Sequence, residues 1–266
     1  MNYVKGRVHE RRRQEHMKHS VWERALHSFI RAFQPQSYRR LGTRELKASS
    51  ISDTENYRKA CQAAAEDPQV FANFRRLGVI REVIETVGKR EANEIMKSLG
   101  DSEHRFSHAL TESIRCDTIG NPYRSRIGTL GRVPPTTVRY ATVYSTLQLL
   151  CGSFRELSVG EIGVGYGGLE RLFLTTDPPR QISVFDLPEV TALTDQFLQA
   201  NGLNTDSVTF QSVPTDCQDL DLVISNFAFS ELRRDLQDNY LQKVLLRSRA
   251  GFVIINSIAS DDFQSI

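Results

Sequence analysis

The chain has 266 residues, a formal net charge of +2, 39% hydrophobic residues and 25% charged residues. These values match an ordinary soluble protein with one large domain, or a catalytic domain with a helical extension. Cys61, Cys116, Cys151 and Cys217 form no C-x-x-C pair. We therefore expect reduced, mostly buried thiols in a cytoplasmic protein, rather than a disulfide framework or a zinc site. No apolar run approaches the roughly eighteen residues of a membrane helix.

Residues 1–50 form a basic segment, and apolar residues at helical spacing predict an amphipathic helix over residues 21–33. A basic amphipathic helix can lie on an anionic membrane surface or bind a partner. The interpretation that we favour is that it packs on its own domain or on a second subunit of a homo-oligomer. No recognition motif accompanies the basic run Arg11–Arg13, so we do not expect nucleic acid as a partner.

Residues 51–118 predict a helical cap domain. Ser52-x-x-Glu55 is a capping-box pattern, and the helix that it opens should end before Asp67 and Pro68. Two later helices should end near Gly100 and begin at Asp101 or Ser102.

Two histidines fall in the last of these helices. His104 and His108 stand at i, i+4 spacing, which can bind a metal, but no neighbouring acid or cysteine completes a signature. We therefore expect no metal. Both are candidate substrate-binding residues, and a surface position is the alternative.

Residues 117–134 contain several glycines and prolines, which predict a loop. Loops held by rigid neighbours often carry binding residues, so Tyr123 is a candidate substrate contact. The helix that should begin at Pro135 carries Arg139 and Tyr140. These two either contact a ligand or brace the helix against the sheet.

The most informative stretch runs from Leu157 to Asp186. An apolar strand leads into four glycines, an amphipathic helix and a second strand that ends in Asp186. This order predicts a nucleotide-binding βαβ unit. Glycines allow close backbone approach, the helix N-terminus offers free N–H groups, and an acid at the second strand's tip suits a ribose diol.

The spacing of Gly163, Gly165 and Gly168 also fits a dinucleotide site, so a nicotinamide-dependent oxidoreductase is one hypothesis. Glu161 disfavours this hypothesis, because dinucleotide folds usually keep an apolar residue at the position two before the first glycine. The absence of a recognisable Tyr-x-x-x-Lys pair also disfavours it. The pattern E-x-G-x-G-x-G resembles motif I of the class I S-adenosylmethionine-dependent methyltransferases, which favours S-adenosyl-L-methionine.

Residues 119–266 alternate strands and helices. Further strands are predicted over Val208–Val213, Asp221–Asn226 and Phe252–Ile258. This alternation predicts an α/β fold: a Rossmann-like doubly wound parallel sheet with an N-terminal helical domain, binding ligands at the carboxyl ends of its strands. The chain stops at Ile266, soon after the fifth strand, so we expect it to lack the last two strands of a class I methyltransferase.

Four segments together resemble the bacterial sugar O-methyltransferase family: Pro134–Tyr140, Glu161–Gly168, Phe185–Pro188 and Ser225–Leu232. The resemblance implies a class I methyltransferase that binds S-adenosyl-L-methionine. It also implies methylation of a sugar hydroxyl in glycan or surface-polysaccharide biosynthesis.

The resemblance also implies roles by position. The cofactor-binding residues would be Glu161, Gly163, Gly165, Tyr166, Gly167, Gly168, Asp186, Leu187 and Asn226. Asn226, Ser230 and Glu231 would face the reacting centre. A sugar hydroxyl needs a base, and Glu231 is the first candidate, with His104 or His108 second.

Two alternatives stay open at this point. Glu231 could instead be an acid favoured by a helix N-terminus. The end of the chain soon after the fifth predicted strand and the predicted basic N-terminal helix would also fit a non-catalytic binding module built on a truncated methyltransferase fold.

Overall fold

The computed structural model describes residues 53–99, 106–212 and 219–255. The helix predicted over residues 21–33, His104 and Cys217 lie outside these residues. The helices are α1 Glu55–Glu66, α2 Pro68–Phe71, α3 Gly78–Val83, α4 Lys89–Ser98, α5 His108–Arg115, α6 Pro135–Cys151, α7 Gly168–Thr176, α8 Pro188–Ala200, α9 Ala228–Glu231 and α10 Arg234–Lys243. The strands are β1 Ser125–Ile127, β2 Gly131–Val133, β3 Ser158–Ile162, β4 Gln181–Phe185, β5 Val208–Gln211, β6 Leu222–Asn226 and β7 Gly251–Ile254. Among the described helices, none is both long and apolar enough to cross a membrane.

The central feature is a five-stranded sheet in the order β5-β4-β3-β6-β7. All four strand pairs are parallel. The strand order reverses direction between β3 and β6, which is the switch point where open α/β sheets bind ligands. The predicted α/β class and the Rossmann-like parallel sheet are therefore confirmed.

Helices cover both faces of this sheet. Side chains alternate along each strand, so Leu222 and Ile224 of β6 join one core while Val223 joins another. The larger core includes apolar residues of α6, α7 and α8. The smaller core includes Phe229 of α9 and Tyr240 of α10. The sheet is accordingly doubly wound, as predicted.

The helical segment before the sheet shares the larger core. Helix α1 packs against α8, and Arg58 donates to Glu189 of α8 at 3.0 Å. The Phe74 ring meets the rings of Tyr166 and Phe197 edge-on. Residues 53–99 therefore form one wall of the molecule's main core, and they lie over the carboxyl end of the sheet.

Some predicted boundaries were wrong. Thr54 caps α1, since its side chain accepts from the Tyr57 N–H at 3.2 Å. Ser107 caps α5 by accepting from the Leu110 N–H, so Phe106 precedes that helix. Both errors arise because Ser and Thr occur at several nearby positions, and tertiary packing selects one cap.

Other expectations also need correction. The predicted loop contains a short antiparallel hairpin of β1 and β2. The apolar spacing of Leu232, Leu236 and Tyr240 predicts one helix after β6, but the structure forms two, α9 and α10, because Leu232 is extended at ψ 151. Cys116 and Cys151 are exposed and only Cys61 is buried, so the described thiols are free but not mostly buried.

A buried ionic cluster joins the helical segment to the sheet. The Arg75 side chain is 0% exposed, and its Nη1 donates to Asp117 Oδ1 at 2.8 Å. Its Nε donates to Glu85. Its guanidinium carbon lies 4.7 Å from the centroid of the Tyr166 ring. Burial alone would raise the pKa of Asp117, but the guanidinium groups of Arg75 and Arg171 outweigh burial and lower it. Asp117 is thus held as a buried carboxylate.

Replacing Arg75 with Met should destabilise the protein strongly. The substitution keeps an aliphatic stem but removes the guanidinium group that binds the buried carboxylates of Asp117 and Glu85, a change that costs about 3–5 kcal/mol. Urea unfolding followed by circular dichroism measures this loss. Arg90→Met is the matched control, because Arg90 makes an exposed ion pair with Glu94. Equal stability losses in the two variants would contradict this assignment.

Candidate functional site

A cleft of about 340 Å³ lies where the carboxyl ends of β3, β4 and β6 meet the helical segment. The sheet side contributes the glycine turn, the ends of β4, β5 and β6, and helices α9 and α10. The helical side contributes residues around α1 and α3. The lining residues are Asp53, Tyr57, Val83, Ile84, Thr86, Arg139, Tyr140, Glu161, Ile162, Gly163, Gly165, Phe185, Asp186, Leu187, Ser212, Asn226, Phe227, Ala228, Glu231, Leu232, Leu236 and Tyr240.

The turn after β3 begins with two glycines that have different roles. Gly163 has φ +81, and a Cβ there would lie 2.0 Å from the Cβ of Ala228. Gly163 therefore allows α9 to approach the turn closely. Gly165 has φ +61, and the three atoms nearest to a Cβ there belong to Ile84, the first at 3.5 Å, an ordinary van der Waals distance. Gly165 therefore requires glycine for its backbone conformation rather than for a close approach.

The two later glycines are surrounded by protein atoms. A Cβ on Gly167 would lie 2.8 Å from Thr194 of α8, and one on Gly168 would lie 2.5 Å from the Tyr140 ring. The Tyr166 side chain is 1% exposed and packs in the core rather than lining the cleft. The predicted contacts of these three residues with a cofactor stay predictions, and packing accounts for their present environment.

Asp186 ties the glycine turn to the end of β4. Its carboxylate accepts from the Gly165 N–H at 3.1 Å and from the Leu187 N–H at 2.8 Å. Burial raises the pKa of Asp186 to about 7, although hydrogen bonds from the backbone N–H groups of Leu187, Gly165 and Val164 lower it. Each carboxylate oxygen can accept more than one bond, so capacity is left for a ligand hydroxyl.

Glu161 forms the floor of the cleft. It is 2% exposed, and its Oε1 accepts from Nδ2 of Asn226 at 2.8 Å. Oε2 of Glu161 and Oδ1 of Asn226 are buried and receive no hydrogen bond from the described residues. Burial and the nearby carboxyl group of Glu170 raise the pKa of Glu161. A buried acceptor without a hydrogen bond destabilises the folded state. A ligand that donates hydrogen bonds to these two atoms would remove that penalty.

Acceptors outnumber donors along the cleft. Among its lining residues, four carry carboxyl groups and one carries a permanent cation, Arg139. The carboxyl groups belong to Asp53, Glu161, Asp186 and Glu231. This composition favours a ligand that is cationic and rich in hydrogen-bond donors.

Arg139 and Tyr140 both line the cleft from α6, and both are held by protein groups. Arg139 donates to Thr86 Oγ1 at 3.0 Å and to the Ile84 carbonyl at 3.2 Å. Tyr140 is buried beside Gly168, and burial raises the pKa of its hydroxyl. Arg139 therefore joins α6 to the helical segment rather than to the sheet, and Tyr140 packs α6 against the glycine turn. Contact of either residue with a ligand stays a prediction.

Two of the residues predicted to face the reacting centre, Ser230 and Glu231, have different environments in the structure. Ser230 is 0% exposed, and its hydroxyl donates to the Phe227 carbonyl at 2.7 Å, away from the cleft lining. Glu231 lies at the end of α9 and lines the cleft. Phe227, which also lines it, has φ +73, a strained value for a side chain of this size. Such strain often clusters at functional sites.

Two predicted substrate contacts lie off the cleft. Tyr123 is 49% exposed, and the guanidinium carbons of Arg76 and Arg81 lie 3.9 Å and 4.7 Å from its ring centroid. His108 is the exposed first residue of α5 and does not line the cleft. Within the described residues, no group of three metal-ligating side chains was found.

Sequence reasoning missed the part of the cleft that comes from the helical segment. Asp53, Tyr57 and Thr86 lie about a hundred residues before the glycine turn, and nothing in their local pattern distinguishes them from other helix or loop positions. Ser212 could have been found, because it directly follows β5 at the carboxyl edge of the sheet.

The roles of Gly163 and Gly165 can be separated by substitution to alanine. Each change should cost about 1–2 kcal/mol from backbone strain at positive φ. Gly163→Ala also forces contact with Ala228, which should add about 1–3 kcal/mol. Thermal or urea unfolding measures the difference. Gly202→Ala, at φ +71 with open space, is the control for strain alone. Similar stabilities of the Gly163 and Gly165 variants would contradict these roles.

No protein-family profile and no curated protein matches the chain. Among solved structures, the methyltransferase domain of bacterial CtHen1 matches with 17% identity and a TM-score of 0.36, over 43% of this chain and 63% of that one. The mitomycin 7-O-methyltransferase MmcR matches with 17% identity and a TM-score of 0.35, over 46% and 40%. YcgJ from Bacillus subtilis matches with 21% identity and a TM-score of 0.28, over 32% and 37%. The chain thus spans less than two thirds of each of these proteins, and likeness at this level assigns no activity.

Proposed function

We propose that the chain is an S-adenosyl-L-methionine-dependent methyltransferase. The main support is the cleft at the switch point of the sheet, which is rich in hydrogen-bond acceptors. Two of these acceptors, on Glu161 and Asn226, are buried and receive no hydrogen bond from the described residues. S-adenosyl-L-methionine carries an ammonium group and a sulfonium centre, so it is cationic and brings donors. It supplies an activated methyl group, and the protein must mainly hold the acceptor in line with it.

The residues present fit this cofactor. The free acceptors of Glu161 and Asn226 would receive the ammonium protons. Asp186, at the tip of β4, keeps acceptor capacity for a ribose hydroxyl.

A nicotinamide dinucleotide fits less well. Its pyrophosphate is anionic and usually binds the free N–H groups at a helix N-terminus. Here the cleft carries several carboxyl groups and one permanent cation. Charge repulsion therefore disfavours a pyrophosphate.

We further propose a sugar hydroxyl as the methyl acceptor. The support is the sequence resemblance of four segments to bacterial sugar O-methyltransferases, together with Glu231 at the cleft. A sugar hydroxyl is a weak nucleophile and reacts faster when a base removes its proton. Glu231 is the base that we propose, with its carboxylate accepting that proton.

Calorimetric titration tests the cofactor. We expect the wild-type chain to bind S-adenosyl-L-methionine with micromolar affinity and Asp186→Ala to lose binding, because the ribose and the glycine turn both lose an acceptor. Asp235→Ala, which removes an exposed carboxyl group on α10, should bind like the wild type. A folded wild-type chain that binds NAD, or that binds neither ligand, would contradict the proposal.

Substitution of Glu231 tests the base. Glu231→Gln should lower turnover about 100-fold or more and leave cofactor affinity nearly unchanged, because the amide cannot accept the proton. The measurement is release of S-adenosylhomocysteine with a panel of nucleotide sugars and simple glycosides. Glu156→Gln, at an exposed position before β3, is the control. Unchanged turnover in Glu231→Gln would remove Glu231 from the mechanism. Cofactor binding without transfer to any glycan would favour a binding module instead.

A further inference from the structure

Two arginines face each other on the outer side of the β1–β2 hairpin. Arg126 of β1 and Arg132 of β2 are direct partners in the antiparallel register. Directly opposite residues share one face of such a pair, with their Cβ atoms about 5 Å apart. The other face carries Ile127 and Val133, which are both 0% exposed. The two arginines are exposed and therefore point away from the core.

This pair of cations is unfavourable without a counter-ion. Like charges directly opposite each other destabilise an antiparallel pair. Within the part of the chain that the structure describes, neither the Arg126 nor the Arg132 guanidinium group makes an ion pair or a hydrogen bond. The same two residues and Gly131 line a recess of about 290 Å³. A Cβ on Gly131 would meet no atom within 4 Å, so the space beside the arginines is open.

The backbone that carries the two arginines is anchored to the helices beside it. Nε and Nη2 of Arg124 donate to the Arg132 carbonyl at 3.1 Å and 2.7 Å. Nη2 of Arg124 also donates to the carbonyl of Arg115, the last residue of α5, at 2.8 Å. At the tip of the hairpin, the Gly128 N–H donates to Oδ1 of Asn93 on α4 at 3.2 Å. The recess is therefore built on a backbone that is held at both ends.

The carboxyl groups on the helices that pack against the hairpin, α4 and α5, are engaged elsewhere. Glu94 of α4 and Glu112 of α5 each form an ion pair within their own helix, at 2.9 Å. Burial raises the pKa of Glu91 on α4, and the cation that opposes this effect is Arg139 of α6 rather than an arginine of the hairpin. The recess therefore keeps two positive charges that no described carboxyl group neutralises.

We propose that the recess bounded by Arg126, Gly131 and Arg132 binds the phosphate group of a small molecule such as a sugar phosphate. A guanidinium group presents its donors as a planar fork that binds two oxygens at once. A carboxylate can satisfy one such fork. A phosphate monoester has a tetrahedral set of oxygens and about two negative charges at neutral pH, so it can meet both forks and cancel the repulsion between them.

The recess is separate from the cleft that we propose for the cofactor. None of the three residues that bound the recess lines the cleft. The inference therefore goes beyond the proposed function and does not depend on it, and phosphate binding can be measured without S-adenosyl-L-methionine.

Calorimetric titration of the full chain with glucose 1-phosphate, at a pH of about 8 where the phosphate is a dianion, tests the site. We expect the wild type to bind, with an affinity that falls as ionic strength rises, since the recess is exposed. Arg126→Gln and Arg132→Gln should each lower the affinity about tenfold or more, because each loses charge-assisted hydrogen bonds. Arg234→Gln removes one exposed cation from α10 and is the matched control, which should bind like the wild type. Glucose and acetate should not displace the bound phosphate ester.

Thermal unfolding gives an independent measurement. At low ionic strength and without ligand, Arg132→Gln should melt at a higher temperature than the wild type, because the substitution removes the repulsion between the two arginines. Glucose 1-phosphate should raise the melting temperature of the wild type and leave that of Arg132→Gln unchanged.

Several results would overturn the inference. These are no binding of glucose 1-phosphate by the folded wild type, equal affinity of the wild type and both recess variants, displacement by acetate, or a melting temperature of Arg132→Gln below that of the wild type. Binding only to vesicles that contain phosphatidylglycerol would also overturn it and would assign the surface to a membrane. None of these outcomes bears on the proposed function, which is tested by binding of S-adenosyl-L-methionine.

Discussion

The guanidinium group of Arg75 is the contact on which the arrangement of the cleft depends. It lies in the helical segment, binds Asp117 and Glu85, and stacks on the ring of Tyr166 within the glycine turn. A buried cation of this kind is stable only while every partner is in place. The helical segment and the turn are thus fixed relative to each other, and the cleft forms between them.

Charge links this framework to the chemistry that we propose. The cleft gathers carboxyl groups at the end of a parallel sheet, and the acceptors of Glu161 and Asn226 lack donors. In a buried site such groups are costly unless a proton or a cation satisfies them. The cationic methyl donor that we propose would provide that compensation on binding. The same requirement would account for the acid that precedes the glycine turn, where a site for an anionic dinucleotide usually keeps an apolar residue.

Much of the sheet could be predicted from the sequence, because strands, glycines and strand-end acids are local signals. Glu161, Gly165, Asp186, Asn226 and Glu231 were predicted at the site, and the structure brings them to one cleft. The contribution of Asp53, Tyr57 and Thr86 could not be predicted, since it depends on how a distant helical segment packs. Ser230 was predicted beside the reacting centre, but its hydroxyl bonds the backbone.

The most direct test of this account is a crystal structure of the chain with S-adenosylhomocysteine, which keeps the adenosine and ammonium groups of the proposed cofactor. We expect the ligand in the cleft between α1 and the sheet edge, with its ribose against Asp186 and its ammonium group against Glu161. A ligand bound elsewhere on the chain, or bound in the cleft with its ammonium group away from Glu161, would contradict the proposed site.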